Sequence, residues 1–581
     1  MTAARVATFD QEASDLRVVS RTAFTAFSLL VLFFLMTKVS NRVEAVDTLT
    51  FSADAEVASF WSNPDSRMLL FYRINRAAVQ AAESLGLQLD VYIVLGALGA
   101  IFAAGSVLLL YRLLRTELDL SGPTSVFGAL TLAFSYGFLR YATEVEVYIG
   151  ATFLTLLCLN LLFHYLDRPP LRVSQAILLG AASGVAVTYY QPTAFPLFFA
   201  ATLLFLHKRY FLQFLAYGAT GVGVYLLSVV LALWGELGRF PEMTELSGLL
   251  VARSDEFFPP EIGVLSFAKA GLAILHDFLS LMPFYALPGA EELIKRLVPQ
   301  HHYFAEDFFF ATRNYGAIWI AVATFVAALV WFAYLVVRAI FAKERRPLDI
   351  KVAFVFLWFA IVVAANIKLN PAEREVWITS LPAIAILVAV FIYEPLKTRP
   401  RALAVMVALV LSHNLIGGIA IYRNPDGDLY ASRTSWIREH GERGDWLIRT
   451  GFPGDRWNKM KILRYPIAHK PEPDISDQFF NFMFFGGDRA NREKWGYSPD
   501  ELISPDEMLR LLKTTGNRVF APEAVIDPKP LPPRADRDEV YARLVAFGAF
   551  LKGYAKVVDD GPLGKTYEID KARLPDTLPK P

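Results

Sequence analysis

Two groups of charged residues stand out in an otherwise apolar chain. The first lies within residues 40–90, where Glu44, Asp47, Asp54 and Glu56 precede a segment with two helical faces. Leu70, Ile74, Ala77, Ala78, Ala81 and Leu85 fall on one stripe, and Arg73, Arg76, Gln80 and Glu83 on another. This pattern predicts a helix lying flat in the headgroup layer. A cationic interface helix beside carboxylates can hold a lipid phosphate. Taken singly, an acid in an outer loop also serves simply to solvate it. As a group, acids within a few residues of a membrane surface beside a phosphate-attracting helix have no obvious structural purpose.

The second group is Tyr141-Ala-Thr-Glu144-Val-Glu146-Val-Tyr148, where two carboxylates enter an apolar run. Burying an ionised acid is expensive, so such groups face a cavity or a cation, and Arg140 is the nearest candidate. The alternative is a helix N-terminus, whose dipole favours acids. His301 and His302, with Glu306 and Asp307, offer ligands for a divalent metal. Their spacing matches no strong metal signature, and the neighbouring Tyr303 and Phe304 equally suit an interfacial loop. Gly-rich phosphate loops, a Ser-His-Asp order and zinc-binding helices are absent from the sequence.

These residues sit in a chain of 581 residues that is 54% hydrophobic, 14% aromatic and 19% charged, too apolar for a string of soluble domains. The excess must face lipid, and long non-alternating runs require helices rather than barrel strands. A net charge of +1 gives no nucleic-acid signature, and the single cysteine, Cys158, excludes a disulfide framework.

Runs of spanning length occur near 22–39, 91–111, 122–139, 147–166, 172–190, 193–207, 211–234, 313–341, 350–367, 375–393 and 401–422, about eleven in all. The first, preceded by Arg5, Arg17 and Arg21, reads as a retained signal anchor. The positive-inside rule puts residues 1–21 in the cytoplasm, along with Arg112 and Arg115, Arg168 and Arg172, Lys208 and Arg209, Lys343, Arg345 and Arg346, and Lys397, Arg399 and Arg401. Parity then forbids a crossing by 264–288. That run carries Lys269, His276, Asp277, Pro283 and Pro288, as suits a re-entrant or interface-lying helix.

The expected architecture is an all-α polytopic domain over 22–422 with outer loops 40–90 and 236–312. A small α/β domain follows over 423–581, from alternating helical and strand-like pieces, and lies in the periplasm if the host is a Gram-negative bacterium. The protein is thus expected in a bacterial inner membrane.

This layout resembles the GT-C superfamily of membrane glycosyltransferases. The resemblance rests on Ser52-Ala53-Asp54-Ala55-Glu56 after the first span, the interface helix, Glu146-Val147-Tyr148, and Arg374 ahead of Leu381-Pro382. It is similar to the Glu-Val-Tyr branch and to the family-39 mannosyltransferase-like and aminoarabinose-transferase-like enzymes. It departs from them in two places. No adjacent acidic pair follows the first span, because Ala55 separates Asp54 from Glu56, and Asn63-Pro64-Asp65-Ser66-Arg67 replaces a His-Pro-Pro-Gly-Tyr run.

The resemblance implies transfer of a sugar from a polyprenyl-phosphate donor to a lipid, glycan or protein acceptor outside the cytoplasm, with a divalent metal in some members. It implies Asp54 as the base, with Glu56 and Asp47 in reserve, since a carboxylate must accept the acceptor's proton. Arg374 is the first phosphate partner, ahead of Arg73 and Arg76, because a guanidinium grips phosphate bidentately. An interfacial anchor is the other reading of Arg374. Substrate contacts are expected from Glu144, Glu146, Tyr148 and Arg140. Two rivals remain: a transporter, disfavoured by largely uncharged spans and no repeat, and a non-catalytic membrane subunit whose C-terminal domain docks a partner.

Overall fold

The computed structural model describes residues 22–39, 47–57, 60–61, 65–87, 89–167, 170–251, 263–290, 293, 317–342, 348–369, 371, 373–423, 429–442, 444–449, 480–485, 502–528, 538–561 and 563–578. The chain divides into two compact units. One comprises Met1–Val39, Phe51–Phe284 and Gly316–Ile421, the other Ser40–Thr50, Tyr285–Tyr315 and Tyr422–Pro581. Segments of both long loops therefore join the C-terminal residues in the second unit.

In the first unit, seven described helices are long and apolar enough to cross a membrane: Val91–Glu117, Val147–Leu166, Phe211–Leu237, Ile318–Ile340, Ile350–Lys368, Glu375–Leu396 and Pro400–Tyr422. Four shorter apolar helices, Thr22–Met36, Gly122–Phe134, Val173–Tyr189 and Gln191–His207, occupy the remaining apolar runs. Seven and four account for the eleven runs, and the unit is a polytopic helical membrane domain. Leu212, Leu215, Val222, Leu226, Trp319, Val326 and Val330 stay exposed on two of these helices, as lipid-facing side chains do.

Small residues set the closest crossings, which lack a hydrophobic drive in lipid and depend on backbone approach. A Cβ at Gly180 would lie 2.3 Å from the Tyr217 carbonyl oxygen, and one at Gly184 would lie 2.7 Å from that of Gly221. Helices Val173–Tyr189 and Phe211–Leu237 meet there. Asn160 donates to the Leu109 carbonyl at 3.0 Å, tying Val147–Leu166 to Val91–Arg112.

The segment after Gly263 forms a helix of 15 residues, Val264–Phe278, followed by extended backbone at Leu279. The bend is stapled to the last apolar helix. Asn414 accepts the Ser280 N–H at 3.0 Å and donates to the Phe134 and Phe278 carbonyls at 2.7 and 2.9 Å. The Ser280 hydroxyl donates to the Gly417 carbonyl at 2.9 Å. Non-helical backbone amid apolar helices needs such partners.

The second unit carries a six-stranded sheet of β1 (Asp445–Arg449), β2 (Phe480–Phe485), β3 (Leu502–Ile503), β4 (Val519–Pro522), β5 (Ala555–Gly561) and β6 (Gly564–Ile569), in the order β3-β2-β1-β4-β6-β5. The first four are parallel, and β6 and β5 add as an antiparallel hairpin. Gly564, at φ +80°, closes the hairpin turn in a region that glycine enters without steric cost. Helix Pro505–Thr514 starts where the Ser504 hydroxyl accepts the Glu507 N–H. Its Met508, Leu509 and Leu512 join Leu544, Phe547 and Leu551 of helix Asp538–Lys552 over Ile448, Val519 and Ala521. This is a small α/β domain.

Candidate active site

The charged residues of the first unit gather at the ends of its apolar helices. Arg140 and Glu144, one helical turn apart, form a closed ion pair at 2.5 Å, with side-chain exposures of 0% and 3%. Neither head reaches solvent, so each charge depends on its neighbours inside the protein. The turn beyond Arg140 lies against Val91–Arg112 because Gly96 and Gly99 lack side chains. A Cβ on either would come within 2.9 Å of the Thr143 or Ala142 carbonyl oxygen.

Glu146 is buried and adopts extended backbone (φ −129°, ψ 150°) immediately before helix Val147–Leu166. Its side chain makes no cap hydrogen bond to the helix. It acts through space on two tyrosines, Tyr148 and Tyr190. Their rings meet edge-on at 5.6 Å. Glu375 acts on both tyrosines, and Glu373 acts on Tyr148. Three carboxylates, supplied by two loops, thus lie within electrostatic reach of Tyr148, and two of them within reach of Tyr190.

Arg67 joins this group through its field on Tyr190. Its guanidinium grips Asp65 with two bonds, Nε to Oδ1 at 3.1 Å and Nη2 to Oδ2 at 2.7 Å. That hydrogen bonding holds the Arg67 pKa above its ordinary value, so the cation is permanent. The loop is fixed from both sides: the Arg67 carbonyl accepts the Gln191 N–H at 2.8 Å, and the Ser66 carbonyl accepts the Tyr225 hydroxyl at 3.3 Å.

Arg374, between the two glutamates in sequence, is buried, and its Nη1 lies 3.1 Å from Nε2 of His276. The other ring nitrogen, Nδ1, accepts the Leu281 N–H at 3.0 Å. Tyr136 meets the imidazole edge-on at 4.9 Å.

Asp54 and Glu56 are half-buried on helix Asp47–Val57, which Asp47 opens. One turn before Asp54, the Phe51 ring packs against Phe71 and Tyr72 at 5.0 and 5.7 Å, and Tyr72 acts electrostatically on Arg67. The amphipathic helix forms as Leu69–Ser84, with Leu69, Val79 and Ala82 buried. Arg76 donates to the Ala55 and Glu56 carbonyls, where a cation complements the end of Asp47–Val57. Arg73 donates to the Trp61 carbonyl at 3.1 Å and lies over the Phe60 and Trp61 rings at 5.9 and 5.7 Å. Burial lowers its pKa below the ordinary arginine value.

The structure therefore brings Glu146 and Tyr148 together with residues the sequence reading did not single out: Arg67, Tyr190, Glu373 and Glu375. His276, noted only as polar, meets Arg374. The available signals were the charged run Glu373-Arg374-Glu375 at the start of an apolar helix, and Asp65-Ser66-Arg67 in a loop. Among the described residues no group of three or more His, Cys, Asp and Glu is arranged to hold a metal, while His301, His302, Glu306 and Asp307 lie outside those residues. Chemically, buried carboxylates and tyrosine hydroxyls beside a fixed guanidinium form a site for a polyol with an anionic group.

No protein-family model matches the chain, and no curated protein matches its sequence. Among solved structures it is similar to ArnT from Cupriavidus metallidurans in the apo state, with a TM-score of 0.47 and 12% identity over 96% of this chain and 100% of that one. For ArnT bound to undecaprenyl phosphate the TM-score is 0.46 at 12% identity, covering 94% and 97%. It is also similar to the archaeal oligosaccharyltransferase AglB from Archaeoglobus fulgidus in complex with an inhibitory peptide and a dolichol-phosphate, with a TM-score of 0.38 and 13% identity over 95% of this chain and 75% of that one.

Proposed function

We propose that this chain is a GT-C membrane glycosyltransferase that moves a sugar from a polyprenyl-phosphate donor to a lipid, glycan or protein acceptor on the periplasmic face. The observation that carries this reading is the gathering of Glu146, Glu373, Glu375, Tyr148, Tyr190 and Arg67 at helix ends. Carboxylates and phenols accept and donate hydrogen bonds to sugar hydroxyls, and cations stabilise a departing phosphate.

In the reaction, the acceptor hydroxyl loses its proton to a carboxylate as its oxygen bonds to the sugar's anomeric carbon. The bond from that carbon to the phosphate oxygen breaks, and the electron pair leaves with the polyprenyl phosphate. Asp54 is the proposed base, with Glu56 and Asp47 as reserves. Arg374 is the proposed phosphate partner. Arg73 and Arg76 serve less well, since backbone carbonyls already take N–H groups of both. Glu144 with Arg140 shapes the wall, and Glu146 and Tyr148 contact the sugar.

The test is turnover of a polyprenyl-phosphate sugar by the purified full chain in liposomes, with Asp54→Asn, Glu56→Gln and Glu146→Gln in parallel. Losing a positioned base costs about 10² to 10⁴ in rate. Asp54→Asn is expected to show that loss with donor binding retained, and a near-normal rate removes Asp54 from the mechanism.

A further inference from the structure

Two helices of the membrane domain end on one side chain. Gly122–Phe134 stops at Ser135 and Val264–Phe278 stops at Leu279, both with extended backbone, and each end leaves carbonyls without a helical partner. The Asn414 carboxamide donates one N–H to the Phe134 carbonyl at 2.7 Å and the other to the Phe278 carbonyl at 2.9 Å, and its oxygen accepts the Ser280 N–H at 3.0 Å. Both donors and the acceptor of the amide are thus used on two helix ends that lie far apart in sequence.

His413, one residue earlier, completes the joint. Its Nε2 lies 2.8 Å from the Ser280 carbonyl, and its Nδ1 lies 3.1 Å from the Ala321 carbonyl and 3.3 Å from the Thr324 hydroxyl. A neutral imidazole has one N–H, which serves Ser280, because the Thr324 hydroxyl is the donor within reach of Nδ1. With its hydroxyl on the Gly417 carbonyl, Ser280 therefore spends its N–H, carbonyl and side chain on residues 413–417. Two glycines permit the close approach. A Cβ at Gly417 would lie 3.0 Å from Pro283 Cγ, and one at Gly418 would lie 2.3 Å from the Tyr136 ring. Across the joint, Tyr136 meets the His276 ring edge-on at 4.9 Å.

We propose that His413 and Asn414 are positioning residues that lock the two helix ends into one unit. Helix Tyr136–Tyr141, which carries Arg140 and leads to Glu144, Glu146 and Tyr148, then keeps its place only while the bend at Ser280 is held. Neither residue contacts substrate; both act through that helix. The effect on turnover rests on the transferase reading, whereas the coupling of the two helix ends does not.

The test uses the purified full chain in phosphatidylcholine nanodiscs and two substitutions of one residue. His413→Gln carries an amide N–H to the Nε2 position and keeps the Ser280 bond; His413→Asn reaches only as far as Nδ1 and loses it. Thermal unfolding reports folding, amide hydrogen exchange reports residues 136–141 and 279–282, and turnover of a polyprenyl-phosphate sugar reports the site. His413→Asn is expected to speed exchange about tenfold or more in both segments, and His413→Gln to stay within about threefold. In turnover, His413→Asn is expected to lower kcat/KM about tenfold or more and His413→Gln to restore it to within about threefold, since small misplacements of positioned groups are costly. Faster exchange at 279–282 alone overturns the joint, and equal effects of the two variants overturn it as packing. If both segments loosen while kcat/KM holds, the positioning role is overturned and the transferase reading survives. If both loosen in a protein that transfers no sugar, the coupling stands and the transferase reading falls. Should His413→Asn fail to fold, Ser280→Ala takes its place, removing only the bond to Gly417: faster exchange in both segments supports the joint, and in 279–282 alone overturns it.

Discussion

The Arg140–Glu144 pair is sealed from water, with the guanidinium fully buried and the carboxylate nearly so. Removing one partner of such a pair leaves the other charged and uncompensated, at a cost of about 3–5 kcal/mol, whereas replacing both by apolar groups costs far less. Arg140→Met is therefore expected to lower the thermal midpoint sharply, and Arg140→Met with Glu144→Leu to recover much of it. Additive losses in the double variant would show that the two heads do not compensate each other. Tyr148 makes a different prediction, because its hydroxyl lies in the field of Glu146, Glu373 and Glu375 while its ring meets that of Tyr141 edge-on at 6.4 Å. Tyr148→Phe keeps the ring and removes one hydrogen-bonding group, worth about 0.5–1.5 kcal/mol. A fall of about two- to tenfold in kcat/KM, with stability little changed, is the expected result; an unchanged kcat/KM removes the hydroxyl from substrate binding. Glu146 and Tyr148 were legible as polar residues intruding on an apolar run. Arg67, Tyr190 and Glu375 were not, because each looks ordinary in its own loop and gains meaning only when the helix ends converge.

At the scale of elements, two glycines separate packing from site geometry. Gly150 lies in helix Val147–Leu166, half a turn beyond Tyr148, and a Cβ there would sit 2.0 Å from the Tyr189 hydroxyl oxygen. Tyr189 immediately precedes Tyr190, so relief of that clash moves the residue that meets Tyr148. Gly180 lies two and a half turns earlier on Val173–Tyr189, where a Cβ would press on the Tyr217 backbone instead. Overpacking of either kind costs about 1–3 kcal/mol. Gly150→Ala is expected to lower the unfolding temperature and raise the donor KM, while Gly180→Ala lowers the temperature alone. Equal KM values in the two variants would mean that the tyrosine pair does not set donor affinity. The apolar helices were legible because length and hydrophobicity suffice to find them. In the C-terminal unit, helices Leu429–His440, Pro505–Thr514 and Asp538–Lys552 and the β5–β6 hairpin answer to the alternating helical and strand-like pieces of the sequence. The run Phe480–Phe485 was not read as a strand; it forms β2 by pairing with β1 and β3, partners distant in sequence that no local pattern reveals.

At the scale of the whole molecule, the remaining question is which way the chain crosses the membrane, since hydrophobic length fixes where helices are but not their direction. The eleven apolar helices, seven long and four short, alternate with basic loops. The chain meets the positive-inside rule when Arg112 and Arg115, Lys208 and Arg209, and Lys397 to Arg401 all face the cytoplasm. Among the described residues between Lys208 and Lys343, only Phe211–Leu237 and Ile318–Ile340 are long and apolar enough to cross, and two crossings return the chain to the same side. A third crossing by Val264–Phe278 would put Lys343, Arg345 and Arg346 outside, against the charge pattern. We therefore predict that cysteines at Gly263 and Gly289 are both labelled from outside in intact cells, and that a reporter active only in the cytoplasm stays silent when fused after Pro581. Both glycines have open space where a Cβ would stand. Gly289, however, holds φ +79°, so the cysteine there carries local backbone strain and its folding must be checked. Protection of one site alone would show a crossing. A bright reporter would reverse parity, moving the loops that carry Glu146, Arg67 and Arg374 to the cytoplasmic face and requiring a donor available on that side.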